Sequence, residues 1–161
     1  MPWRLVDNVL APREEIVLNY SGPNPFSAYY VLRRCFDVIV KVQAKDIFED
    51  EFKWDITSDP RTFFVKLRVR KSYDSFTKGW IFIELKGKQP SDPTKNGSMS
   101  IRMRSTLETE WKIDGIKIVL LPLVYLYHLL FYNKQRRRYL DGLKEFIYRM
   151  EEEIRNNFNI K

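Results

Sequence analysis

The chain has 161 residues, which is enough for one full core, so we expect a single domain over residues 1–161. A content of 44% hydrophobic and 15% aromatic residues excludes intrinsic disorder, which requires low hydrophobicity. The formal charge of +7 permits an anionic partner, such as a nucleic acid or a membrane surface, without requiring one. Cys35 is the only cysteine and the amino end lacks a signal-peptide pattern, so we expect a cytoplasmic protein without disulfides.

The first elements in chain order are predicted to be a strand and a helix. Residues 15–20 alternate apolar and polar side chains, which is typical of a strand. Residues 21–25 are rich in proline and glycine, which end strand pairing and suit a strand-to-helix turn. Apolar residues then follow helical spacing from residue 26 to about residue 41, which predicts a helix. Residues 1–13 give no clear pattern.

An antiparallel meander is predicted next, beginning with a hairpin. Two alternating segments are joined by the turn signal at residues 57–61. Their apolar faces match if Trp54 lies opposite Val65, and this register also places Glu51 opposite Arg68. We therefore expect opposite-charge pairs on the outer face of this hairpin.

Two further strands are predicted around residues 81–85 and 99–111, separated by a polar loop. Strict alternation in the last three strands of the meander places nine apolar side chains on one face. We expect that face to pack against the terminal helix; its residues are Val65, Leu67, Val69, Ile81, Ile83, Leu85, Met99, Ile101 and Met103.

The carboxy-terminal part of the chain predicts one long helix. Asp114-Gly115 is a tight-turn signal, and we interpret Ile116–Leu121 as a short strand, with the first turns of the helix as the alternative. Helical spacing of apolar residues runs from about Pro122 to Asn156. We expect the apolar first half to be a buried core helix, and the second alternative is a helix that lies in a membrane interface. A membrane-spanning helix is the third, because about 15 apolar residues fall short of the ~20 that span a bilayer.

This order of elements predicts an α+β fold in which an antiparallel sheet wraps on the long C-terminal helix. It resembles the helix-grip fold of the START-like (SRPBCC) superfamily, through the break Tyr20-Ser-Gly-Pro-Asn-Pro-Phe26 and the terminal helix over the sheet. The resemblance covers nearly the whole chain, but it lies in element order and not in motifs, and the family's usual second short helix has no clear counterpart. It implies a non-enzymatic protein that holds a hydrophobic or amphipathic, lipid-like small molecule between sheet and helix.

One stripe of the terminal helix carries polar and aromatic side chains. Tyr125, His128, Tyr132 and Arg136 recur at three- or four-residue spacing and therefore share one side of a helix. They are candidate ligand-binding residues, because they offer hydrogen bonds and a charge to an anionic head group while apolar neighbours hold its body. The alternative is that they lie at the margin of the core with their polar tips in water.

A basic segment lies near the middle of the terminal helix. Lys134, Arg137 and Arg138 are candidate anion-binding residues, since no acidic residue flanks them before Asp141. They suit phosphate or an anionic membrane surface, or they solubilise the helix. The basic strand face around Arg68 could bind single-stranded nucleic acid, but its glutamates favour a solvated face.

Enzymatic chemistry has little support in the sequence. His128 is the only histidine and Cys35 the only cysteine, so we expect no metal site, no cofactor and no catalytic residues. The motifs G-x-S-x-G, G-x-G-x-x-G and the P-loop are absent. The predicted function is binding of a lipid-like small molecule; the alternative is an anion-directed module that binds RNA, a ribonucleoprotein or a membrane surface through its basic helix segment.

Overall fold

The computed structural model describes residues 2–112 and 121–161, which form an α+β fold with a six-stranded antiparallel sheet and a long C-terminal helix. The predicted fold class is therefore confirmed. The strands are β1 (Pro2–Asn8), β2 (Ile16–Gly22), β3 (Ile47–Asp55), β4 (Arg61–Ser72), β5 (Thr77–Gln89) and β6 (Gly97–Lys112).

One helix follows β2, and a long C-terminal helix follows β6. Short 3₁₀ turns lie at Pro25–Ser27 and Ala44–Asp46. The C-terminal helix contains 38 residues, with one π turn inside it. The helices are α1 (Ala28–Cys35, extended by a π turn at Phe36–Val40), α2 (Leu121–Tyr127), the π turn His128–Tyr132 and α3 (Asn133–Phe158).

The sheet is built around β6, its longest strand. The strand order is β1-β6-β5-β4-β3, and β2 also pairs with β6. Strand β1 pairs with residues 106–112 of β6 and β2 with residues 97–103, so both lie along one edge of it. The sequence pattern did not predict β1, because residues 1–13 show little alternation.

The face of the sheet that packs against the terminal helix is the apolar face predicted from the alternation. All nine of the predicted apolar residues are buried, at 3% exposure or less. Helix α3 covers this face with a stripe at three- and four-residue spacing, Leu143, Ile147, Met150 and Ile154, each with no exposed surface. The amphipathic half of the terminal helix therefore forms the core with the sheet.

Gly79 of β5 sets how closely α3 approaches the sheet. A Cβ at this position would lie 2.6 Å from Leu143 Cδ2 and 3.2 Å from Tyr73 Cε2. Real Cβ atoms do not come that close, and Leu143 is fully buried and has little room to move. Helix α3 therefore packs closely on β5 at Gly79, where no side chain lies beneath Leu143.

The β3–β4 hairpin forms in a register two residues away from the predicted one. Trp54 pairs with Phe63 instead of Val65, and Glu51 lies opposite Lys66 instead of the predicted arginine. A shift by two returns every side chain to the same face, so alternation alone does not exclude it. The turn geometry and a bulge before Glu51 determine the register instead.

The prediction of a buried first half for the terminal helix is wrong. Helix α2 buries none of its residues, and most of the following π turn is exposed as well. The predicted turn Asp114-Gly115 and residues 116–120 of the predicted strand Ile116–Leu121 lie outside the described residues. Leu121 itself is helical, one residue before the predicted start of the helix.

Replacing Gly79 by alanine tests the contact between helix and sheet. We expect Gly79→Ala to lower the free energy of unfolding by about 1–3 kcal/mol, because the added methyl group overpacks against Leu143. Denaturant unfolding followed by far-UV circular dichroism measures the change. The control is Gly142→Ala in α3, where a Cβ meets nothing within 4 Å. This variant should be more stable by roughly 0.5–1 kcal/mol. An unchanged free energy of unfolding in Gly79→Ala would contradict the close approach of α3 to β5.

Candidate functional site

The first turns of the terminal helix present a continuous apolar surface to solvent. Eight large side chains within eleven residues are between 40% and 66% exposed. We call this surface the apolar overhang; its residues are Leu121, Leu123, Tyr125, Leu126, Tyr127, Leu129, Leu130 and Phe131. Single exposed apolar residues are ordinary, but a contiguous group of this kind marks a contact surface for a protein or a membrane.

Basic side chains adjoin the apolar overhang on the same helix. Lys134, Arg137 and Arg138 are all exposed. Within the described residues, no carboxylate lies within ion-pair distance of any of them. Leu130, Lys134 and Arg138 succeed one another at four-residue spacing, so apolar and basic groups share one exposed side of the helix.

Three of the four predicted ligand-binding residues come together on the opposite side. His128, Tyr132 and Arg136 are buried, at 8% exposure or less, and face the sheet. The rings of His128 and Tyr132 lie 4.7 Å apart, and the His128 ring lies 4.7 Å from Trp111 of β6. Tyr125 is 59% exposed and belongs to the apolar overhang instead.

A chain of hydrogen bonds connects this buried stripe to the sheet. The Tyr132 hydroxyl has a single hydrogen and donates it to Asp74 Oδ2 at 2.8 Å. Thr77 therefore donates to the Tyr132 oxygen at 2.5 Å, and Thr109 donates to Thr77 at 2.9 Å. Arg136 completes the chain by donating from Nε to Thr109 Oγ1 at 3.0 Å. Each hydroxyl thus both donates and accepts, which fixes the orientation of the helix at this point.

The charge of Arg136 is balanced from the first strand. Its Nη1 lies 2.5 Å from Oδ2 of Asp7 in β1, and its side chain is 7% exposed against 35% for Asp7. A buried cation is tolerated only when it is paired, so this contact joins the start of α3 to the edge of the sheet.

The surroundings of the buried stripe shift the pKa values of Tyr132 and His128. Burial raises the pKa of the Tyr132 phenol, helped by its bond to Asp74, although the Thr77 hydroxyl opposes the shift. Burial lowers the pKa of His128 below 6.5, and the positive charge of Arg136 lowers it further. His128 is therefore neutral at pH 7.

The residues of the sheet that hold this stripe were not predicted from the sequence. Asp7 lies in the unpredicted strand β1, so no pattern indicated it. The positions of Thr77 and Thr109 in the alternating pattern of their strands do indicate a role in the core. They continue the inward-facing positions of β5 and β6, and both are fully buried. A polar residue in phase with an apolar face indicates a buried hydrogen-bond partner.

A cleft lies beside Arg136, between the turn after β1 and helix α3. Its volume is about 510 Å³. The turn side is formed by residues 7–9 and Ala11, and the helix side includes Asn133, Arg137 and Lys144. The cleft therefore opens where the basic segment of the helix meets the edge of the sheet.

The outer face of the sheet is basic but locally neutralised. The Arg68 guanidinium lies 5.1 Å from the Phe48 ring and 5.5 Å from the Trp80 ring, and it bonds Asp50 at 3.0 Å. Its predicted pairing with Glu51 is wrong, as the shifted register requires. The other ion pairs of this face are Arg70–Asp46 (2.7 Å), Lys66–Glu51 (3.4 Å) and Arg104–Glu84 (3.7 Å). These pairs support the interpretation of a solvated face.

Comparison with known proteins adds a distant structural neighbour. No family model matches the chain, and no curated protein matches it. The solved structure of a protein of unknown function from Staphylococcus aureus aligns with 91% of this chain. The alignment covers 94% of the Staphylococcus aureus chain, at 8% sequence identity and a TM-score of 0.27. Within residues 2–112 and 121–161, no helix combines the length and the apolar character needed to cross a membrane.

The single histidine allows a direct test of the buried stripe. The unfolded chain binds a proton at His128 near pH 6.5, whereas the folded chain binds it only at lower pH. The free energy of unfolding should therefore fall as the pH drops from about 7 to about 5, before most carboxylates titrate near pH 4. Denaturant unfolding at a series of pH values should show this decline, and His128→Gln should reduce it. Identical slopes for both proteins would show that His128 is not held neutral.

Proposed function

We propose that this protein attaches peripherally to an anionic membrane surface through the apolar overhang and the basic residues beside it. The observation that carries the proposal is the combination of eight exposed apolar side chains with Lys134, Arg137 and Arg138 on one helix. Helices of this composition lie in the plane of the membrane interface, with the apolar side about 5–10 Å deep at the boundary between head groups and acyl chains.

The chemistry of the overhang favours a lipid surface over other partners. Leucine side chains enter the acyl region, and tyrosines such as Tyr125 and Tyr127 are suited to the interface because each has an apolar ring and a polar tip. The basic residues then reach lipid phosphates, each contributing about 1 kcal/mol at an anionic surface. RNA would engage the basic residues and stack its bases on the aromatic rings, but it would leave the five exposed leucines in water.

Variants of the overhang test this function. We expect Leu126→Gln combined with Leu130→Gln to weaken binding to phosphatidylglycerol vesicles by about a hundredfold, because each leucine loses roughly 1.4 kcal/mol of burial. Co-sedimentation with vesicles measures the affinity, and raised salt should weaken binding of the parent protein. Neither residue is buried, so the variant should keep its stability.

The matched control replaces two exposed apolar residues elsewhere. Val38→Gln combined with Ile56→Gln makes the same kind of change at 60% and 68% exposure. This variant should bind vesicles as the parent protein does. Tight binding of RNA without vesicle binding, or a dimer that forms through the overhang at micromolar concentration, would contradict the proposal.

A second candidate is the predicted binding of a lipid-like small molecule between sheet and helix, as in the START-like superfamily. The observation that favours it is the buried stripe His128, Tyr132 and Arg136, whose last member lines a cleft of about 510 Å³, within the roughly 300–1,000 Å³ of ligand sites. Native mass spectrometry of the purified protein tests it, because a small molecule should co-purify and His128→Leu should reduce its retention. Membership of that superfamily and a cytoplasmic location stay predictions.

A further inference from the structure

The cleft beside Arg136 has a positive wall on the helix side. Asn133, Arg137, Leu140 and Lys144 line it, at spacings of four, three and four residues. They therefore form one stripe of α3, next to the buried stripe and directly after the apolar overhang. Two cationic side chains, an amide and an apolar side chain thus face the turn that follows β1.

The charges in the cleft do not cancel. Among the described residues that line it, Asp7 is the only acidic one, and its carboxylate is engaged by Arg136 at 2.5 Å. Arg137 makes none of the hydrogen bonds or ion pairs found among the described residues. Lys144 has only a long contact of 3.5 Å from Nζ to the Ala11 carbonyl oxygen. Two positive charges therefore remain for a ligand.

Among the described residues on the turn side of the cleft, the only side-chain acceptors are those of Asp7 and Asn8, and both are already engaged. Asn8 uses its Nδ2 to donate to the Arg13 carbonyl oxygen at 2.9 Å and its Oδ1 to accept the Leu10 N–H at 3.0 Å. These two bonds lie within the turn and its flanking residues, and α3 adds only the long Lys144 contact to Ala11. The turn side of the cleft is therefore ordered before a ligand binds, which lowers the entropic cost of binding.

We propose that this cleft binds a phosphate monoester group, presented by a lipid head group at the membrane surface. A phosphate monoester carries a charge of about −1.5 to −2 near pH 7, which matches the two uncompensated cations. The Arg137 guanidinium offers two parallel donors to phosphate oxygens, Lys144 adds a point charge, and the Asn133 amide adds a neutral donor. The proposal rests on the membrane attachment proposed above and names the lipid chemistry that it selects.

The position of the cleft along the helix fits a head group. Asn133 follows the π turn His128–Tyr132 directly, so the cleft begins where the apolar overhang ends. Lys144 lies eleven residues further, about 16 Å along the axis. With the overhang at the acyl boundary, a phosphate in the cleft would lie on the aqueous side of it.

Two vesicle compositions of equal surface charge test the lipid selectivity. One contains phosphatidic acid, a phosphate monoester, and the other phosphatidylglycerol, a phosphate diester. We expect the parent protein to bind the phosphatidic acid vesicles about tenfold more tightly. Arg137→Gln and Lys144→Gln should each remove most of this preference, since a hydrogen bond to a charged group is worth about tenfold or more.

The neighbouring residue gives the control. Arg138→Gln removes the same charge from an exposed side chain that does not line the cleft. It should weaken binding to both vesicles by an equal factor, about fivefold, and leave the preference intact. Equal affinity of the parent protein for the two compositions would overturn the proposal, as would a loss of preference in Arg138→Gln to the same degree.

A soluble probe separates this inference from the membrane attachment. Inorganic phosphate, titrated against chloride at equal ionic strength, should shift the amide resonances of Asn133 and Arg137 and not those of α1. Such shifts without vesicle binding would support the cleft and refute the attachment. Vesicle binding without lipid preference or phosphate shifts would refute the cleft alone.

Discussion

The structure depends on how the apolar stripe of α3 packs on the inner face of the sheet. Leu143, Ile147, Met150 and Ile154 are fully buried there, above the close-approach position at Gly79. The C-terminal helix is 38 residues long, about 57 Å, and the stripe occupies only its second half. The first turns leave their apolar side chains largely exposed, although the Tyr127 ring lies 6.3 Å from Trp111 of β6. The same packing that completes the core creates the apolar overhang.

The margin between core and overhang is polar, and this is where the helix direction is fixed. The chain from Asp74 through Tyr132, Thr77 and Thr109 to Arg136 satisfies each hydroxyl, and Asp7 balances the buried charge. Such networks stabilise one arrangement strongly because any displacement leaves buried polar atoms without partners. The overhang is consequently held by a rigid base, and the basic cleft opens from the same base. Arg136 thus links the orientation of the helix to the edge of the sheet and to the cleft.

Alternation predicted the inner face of the sheet because period two is strong in β4, β5 and β6, and element order predicted the fold class. The hairpin register was wrong because a shift of two residues preserves every face, as Trp54 and Phe63 show. The buried stripe was found from helical spacing, but that spacing continued through Tyr125, which is 59% exposed. Local periodicity carries no information about where a partner surface stops, so the overhang was predicted as core. Asp7 was missed for the same reason, since its role depends on a contact distant in sequence.

Depth measurement with a spin label tests the membrane attachment most directly. In a Cys35→Ser background, a nitroxide at position 126 of the overhang is compared with one at position 148, which is exposed on α3 beyond the basic segment. With phosphatidylglycerol vesicles, the label at 126 should become accessible to dissolved oxygen and protected from a water-soluble nickel complex, as expected about 5–10 Å below the head groups. The label at 148 should stay accessible to nickel. Equal nickel accessibility at both positions in the presence of vesicles would contradict the account.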